Sequence, residues 1–147
     1  MAAIRMILGF TGTRAGMTDA QLRALRGVIS TYPEILLHGG APGADEEADA
    51  FFAVGCTGTK IEVYPASAQR AGIWLRKTDG VRVIHNWMKP LVRDVIIAKR
   101  CDHLLACPGT QEEIVRSGTW STVRYARKVG KPITILMPDG TAREERR

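Results

Sequence analysis

Residues Cys107–Trp120 read CPGTQEEIVRSGTW, and the parsing of this stretch decides the fold. The apolar run His103-Leu104-Leu105-Ala106-Cys107 enters it, and Pro108-Gly109 stops that run as a strand would be stopped. A polar loop follows. Ser117-Gly118-Thr119 then opens a helical pattern carried by Trp120, Val123, Ala126 and Val129, and Gly130 with Pro132 closes it. Ile133 to Met137 is the next apolar run. The order strand, small-residue loop, helix, strand is a βαβ unit. Its loop delivers backbone N–H groups to a helix N-terminus, where an anion is favoured.

Working outward, the same device appears twice more. Met6-Ile7-Leu8-Gly9-Phe10 reads as a strand and runs into Thr11-Gly12-Thr13-Arg14-Ala15-Gly16. Thr18 then starts a helix with a capping box to Gln21 and apolar positions at Leu22, Leu25, Val28 and Ile29, stopped by Pro33. Ile35–His38 is a second strand, followed by Gly39-Gly40-Ala41-Pro42-Gly43-Ala44-Asp45 and a helix with Ala44, Ala48, Phe51 and Phe52 on one face. The acidic first turn Asp45-Glu46-Glu47 suits that helix's dipole. Lys60–Tyr64 alternates as a third strand. Residues 66 to about 88 show no regular period and read as a long irregular insertion, cationic and aromatic through Arg70, Trp74, Arg76, Lys77 and Trp87. Pro90 marks the first turn of a helix that runs to about Arg100. Asp139–Arg147 is polar, charged and read as a frayed tail.

Strands alternating with helices predict an α/β fold: a Rossmann-like, doubly wound, mainly parallel sheet with helices on both faces. It forms one domain over residues 1–138, with 139–147 as a charged C-terminal tail. In such sheets ligands sit beyond the carboxyl ends of the strands, and all three glycine loops follow strands at that edge.

Composition narrows the function. No apolar run reaches the roughly 18–20 residues that span a bilayer, and no signal peptide is legible at the N-terminus, so a cytoplasmic location with no membrane partner is expected. Three cysteines without a C-x-x-C, and three scattered histidines, disfavour a disulfide framework, a metal site or a metal cofactor. The net charge of +6 favours anionic ligands, with nucleic acid possible but not required. No G-K-[ST] is present and residues 9–14 do not fit G-x-G-x-x-G, so neither a P-loop ATPase nor an NAD dehydrogenase is indicated. Phosphate is expected on the backbone around Gly12-Thr13, Gly39-Gly40 and Gly118-Thr119, with Pro108, Gly109 and Ser117 shaping the third loop. Arg14 is placed to neutralise charge. Asp45 either hydrogen-bonds ribose or caps its helix. Trp74 and Trp87 either stack on a base or serve as core or interface residues.

Taken as a set, GFTGTR (9–14), HGGAPGAD (38–45), R-D-x-x-I-A-x-x-C-D-x-x-L-A-C-P-G (93–109) and SGTW (117–120) resemble the SLOG superfamily, which joins DNA-processing protein A to the lonely-guy phosphoribohydrolases. The resemblance covers roughly residues 6–137. It implies binding of a nucleotide or ADP-ribose-like molecule without a further cofactor, and pairing into a homo-oligomer. Arg93, fifteen residues before Pro108, stands where the phosphoribohydrolases place a substrate-binding arginine; its other reading is an ion pair with Asp94 or Asp102. The family's PGGxGTxxE lacks its glutamate here, since Thr119 is followed by Trp120-Ser121-Thr122-Val123. Glu112 and Glu113, inside the longer loop, are the acids left to assist cleavage of an N-glycosidic bond; as plain loop residues they would only be solvated. Three functions follow from the resemblance: a nucleoside monophosphate phosphoribohydrolase, a non-catalytic sensor or sequestering module for a signalling nucleotide, and a single-stranded DNA binder.

Overall fold

The computed structural model describes residues 6–28, 33–56, 58–77 and 80–146. In chain order its elements are β1 (Ile7–Gly12), α1 (Asp19–Val28), β2 (Ile35–His38), α2 (Ala44–Gly55), β3 (Lys60–Val63), α3 (Ala68–Leu75), β4 (Arg82–Ile84), α4 (Pro90–Arg100), β5 (His103–Cys107), α5 (Gly118–Lys128), β6 (Ile133–Leu136) and β7 (Ala142–Glu145). The seven strands form one sheet in the order β4-β3-β2-β1-β5-β6-β7, parallel throughout except for β7. This is the doubly wound α/β fold expected from the alternation of strands and helices.

The pleat distributes the core. On one face Leu8, Phe10, Leu36, Ile61 and Leu105 pack with Leu25 of α1, Phe52 of α2 and Trp74 of α3. On the other, Leu37, Leu104, Ala106, Ile133 and Ile135 pack with Ile97 of α4 and Trp120 and Val123 of α5. Neighbouring residues such as Leu36 and Leu37 fall in different clusters, as period-two alternation requires. Strands buried on both faces explain why the runs at 35–37 and 104–107 are continuously apolar.

The helix starts obey their sequence signals. Thr18 and Gln21 form a reciprocal capping box, Thr18 N–H to Gln21 Oε1 and Gln21 N–H to Thr18 Oγ1, each 3.0 Å. The remaining amide of Gln21, fully buried, donates to the carbonyls of Pro108 and Leu136 at 2.8 Å and pins α1 across the far half of the sheet. Ser67 and Ser117 cap α3 and α5, and Pro90 sits in the first turn of α4. Ile29, assigned to the first helix by its spacing, lies outside the described residues.

Two expectations need correction. The segment 66–88 is not irregular: it holds α3 and the three-residue β4, which pairs with β3. Nor do the described residues of the tail, 139–146, fray, because β7 pairs antiparallel with β6 and Arg127 forks onto Glu145 at 2.7 and 2.8 Å. Among the described residues, no helix is long and apolar enough to cross a membrane.

Candidate functional site

The sheet order makes β1 the topological switch: the chain winds outward through β2, β3 and β4, then returns to β5 on the other flank of β1. A crevice opens beyond the carboxyl ends at such a point. Here it is a cleft of ≈ 510 Å³, within the range that holds a small organic ligand. All three glycine loops reach it, through Gly12, Thr13 and Arg14, through Gly39 and Ala41, and through Gly109, Ser117, Gly118 and Thr119. The first residues of α4 and α5 reach it as well.

Its cationic side has two tiers. Arg93, only 8% exposed, is locked in place: Nε donates to Asp94 Oδ1 and Nη1 to the carbonyl of Gly39, both at 2.9 Å. Gly39 permits this approach, since a Cβ there would stand 2.8 Å from Arg93 Cζ. The ion pair with Asp94 and the position in the cleft therefore hold together, while Asp102 instead accepts the N–H of Ile7 through Oδ2. Arg14 and Arg116 form the outer tier. Both are exposed at the cleft wall and neither guanidinium has a hydrogen-bond or ion-pair partner among the described residues.

The backbone donors are fewer than three loops suggest. Thr13 N–H donates to the carbonyl of Cys107 at 3.0 Å, which continues the β1–β5 ladder, and Gly40 N–H donates to His38 Nδ1 at 2.9 Å. Those two groups are not available to a phosphate. The Gly40 carbonyl is likewise occupied, by Arg70 Nε and Trp74 Nε1. At α5, Ser117 Oγ accepts the N–H of Trp120, leaving those of Gly118 and Thr119, two residues of the cleft lining, unpartnered at the helix N-terminus.

The acids in the cleft differ from those expected. Glu112 and Glu113 are both exposed and neither lines it. Glu113 is turned away by Arg127 and Arg124, at 2.8 and 3.3 Å, which hold its carboxyl below the usual range, the Arg127 hydrogen bond contributing most. Arg124 also donates to the carbonyls of Ile114 and Val115, so the loop is strapped to α5. The carboxyls that do line the cleft are Asp45 and Asp94. Asp45 does not cap α2, whose N-cap is Gly43 with no side-chain hydrogen bond. Its Oδ2 accepts the N–H of Ala41 at 3.1 Å, and its Oδ1 is buried with no hydrogen-bond partner. Burial raises both carboxyls; His38, the Ala41 N–H and Arg93 oppose this at Asp45, and Arg93 opposes it at Asp94.

A buried acid whose folded-state pKa is raised is a stability cost that grows with pH. Between the ordinary aspartate value of about 3.9 and the raised folded value, the native state binds more protons than the unfolded chain, so stability falls as pH rises. Asp45→Asn removes that contribution. The variant should match the wild type below about pH 4 and exceed it at pH 7, as read from urea unfolding at several pH values. An unchanged difference across this range would mean that Asp45 is solvated.

Other singled-out residues serve the scaffold. Pro108 is buried outside the lining and presents its carbonyl to Gln21. Trp74 is fully buried, edge-on to His38, with its indole N–H on Gly40, so it offers no face for a base; Trp87 is exposed and stands apart from the cleft. Cys107 is buried, and burial, with Asp45 and Glu47 nearby, pushes its thiol far up, which removes it as a nucleophile. His38 passes its other nitrogen to Asp49 at 2.8 Å, and Asp49 also meets Arg82, a buried brace beneath the second glycine loop. Sequence reasoning missed Arg116, whose place just before the capping Ser117 was the available signal, and it weighed Asp94 only as a partner for Arg93.

No protein-family model, no curated protein and no solved structure matches this chain.

Proposed function

We propose that this chain binds a nucleotide or nucleotide-derived, ADP-ribose-like ligand in the switch-point cleft, in the manner of the SLOG proteins that its glycine loops resemble. One observation carries the reading. Two guanidiniums without partners among the described residues, Arg14 and Arg116, belong to the same cleft lining as Gly118 and Thr119, whose N–H groups are unpartnered at the start of α5. A phosphate there receives charge-assisted hydrogen bonds from the arginines and from a helix N-terminus at once. The less polar wall, with the exposed Pro90 and Ile114, supplies a surface for a base.

Binding without turnover is the favoured form, because the loop glutamates stand outside the cleft and the acids within it are braced by Arg93 and the backbone. A phosphoribohydrolase would have to work through Asp45 or Asp94.

A thermal-shift screen with AMP, ADP-ribose and inorganic phosphate tests the reading, with each bound nucleotide recovered and chromatographed. The expected result is stabilisation by AMP or ADP-ribose and recovery of the intact molecule; free base in the eluate would establish hydrolysis. Arg14→Ala and Arg116→Ala should each weaken binding about tenfold. Unfolding of the unliganded protein should hardly move, since both side chains are exposed and unpaired. Full affinity in the double variant would sink the proposal. Single-stranded DNA belongs in the same screen: tight binding that collapses between low and moderate salt would favour the nucleic-acid alternative.

A further inference from the structure

The loop between β5 and α5 owes its path to side chains. Residues 109–116 belong to neither helix nor strand, and Gly109, Thr110, Ile114 and Arg116 among them line the cleft. The first half is tied at Thr110 Oγ1, which accepts the Trp120 indole N–H at 3.0 Å, and at Gln111 Oε1, which accepts the Asp139 N–H at 2.9 Å. The second half is fastened differently. Val115 is 86% exposed and Ile114 42%, so burial does not fix them. Their carbonyls go to one side chain: Arg124 Nη1 donates to Ile114 at 3.2 Å and Nη2 to Val115 at 3.0 Å. Among the described residues no other side chain reaches either carbonyl. The same guanidinium meets Glu113 at 3.3 Å.

Arg116 follows directly in the chain. It is exposed, and its guanidinium has no partner among the described residues. A long side chain on a loose loop loses binding energy to the ordering of both. With the loop gripped from α5, its share of that ordering is complete before a ligand arrives. The helix that grips it is also the one whose first residues, Gly118 and Thr119, belong to the cleft lining. One rigid element therefore carries the amide donors and fixes the backbone that bears the cation. Arg124 itself is not part of the lining.

We infer that Arg124 is a positioning residue for the anion site: it stays clear of the ligand and holds Arg116 at the cleft by gripping the two carbonyls that precede it. This rests on the phosphate reading above and adds to it the group on which the contribution of Arg116 depends.

Calorimetric titration of the full chain with AMP and with ADP-ribose, at one ionic strength, tests it. Arg124→Ala should weaken binding of whichever nucleotide the wild type takes by about three- to tenfold. Urea unfolding of that variant should stay near wild type, since the Arg124 side chain is 37% exposed and its ion pair lies at the surface. In an Arg116→Ala background the same substitution should have almost no further effect, because the group it positions is gone. Arg124→Lys keeps the charge without the fork and should recover only part of the affinity. Without any ligand, trypsin cleavage after Arg116, identified by mass, should quicken several-fold in Arg124→Ala.

Unchanged affinity in Arg124→Ala, or a loss that persists in full without Arg116, would overturn the inference and leave the phosphate reading standing. Full affinity in Arg124→Lys would overturn it by assigning the effect to charge alone. Unchanged cleavage after Arg116 would overturn it as well, by showing the loop held by other groups. Binding of neither nucleotide by the wild type would remove the phosphate reading and the inference together.

Discussion

Arg93→Ala is expected to lower the unfolding free energy by about 3–5 kcal/mol, the cost of removing one member of a buried ion pair. The residue is 8% exposed, and its guanidinium holds two partners that the variant would strand, the Asp94 carboxyl and the Gly39 carbonyl. Asp94 is itself 4% exposed, so water does not readily replace the lost cation. Adding Asp94→Asn to Arg93→Ala should recover part of the loss, because the stranded charge is gone, and a double-mutant cycle measures the coupling. Urea denaturation of the four proteins is sufficient. A single-variant loss under about 1 kcal/mol would instead resemble a surface pair and would mean that the floor of the cleft is open to water.

The second large effect is expected at Gly43. Its φ of 83° and ψ of −121° fall where only glycine rests comfortably. A Cβ there would meet backbone on two sides, the carbonyl of Arg14 and, at 2.7 Å, that of Thr13. Backbone cannot turn aside as a side chain can. The dihedral strain of Gly43→Ala costs on the order of 1–3 kcal/mol, and the clash adds to it. The Thr13 carbonyl also accepts the N–H of Ala44, so the first glycine loop and the start of α2 shift together. Thermal unfolding should show a drop of several degrees or more, accompanied by weakened AMP binding because Arg14 belongs to the displaced loop. A variant as stable as the wild type would show that this junction is not held as described.

What was legible in the sequence was whatever is written locally. Thr18 with Gln21 announced a capping box, Pro90 a first turn, and the runs at 35–38 and 103–107 announced strands; each rule acts within a few residues, and each held. What escaped notice depends on partners distant in the chain. Ala142–Glu145 has no apolar alternation, and it becomes a strand through pairing with β6 and the fork from Arg127. Arg82–Ile84 is too short to carry a period, yet β3 beside it and Asp49 opposite Arg82 fix its place.

The candidate site divides along the same line. Loops that follow strands had to gather at one sheet edge, so the cleft could be foreseen from topology. Glu112 and Glu113 were selected by nearness in sequence to the third glycine loop, and nearness says nothing about direction. The pull from Arg124 and Arg127, eleven and fourteen residues from Glu113, turns that segment outward. Asp45 and Asp94 take its place in the cleft because two separate helices start there.

The antiparallel last strand has a consequence for how the molecule avoids its own kind. Residues of β6 are fully or almost fully buried, and without β7 their open ladder would be a flat apolar template for the corresponding edge of another molecule. β7 replaces that template with charged residues of both signs, Arg143, Glu144 and Glu145, on a mostly exposed margin. Shortening the chain at Asp139, where its composition invites a cut, would therefore turn a sealed border into an adhesive one.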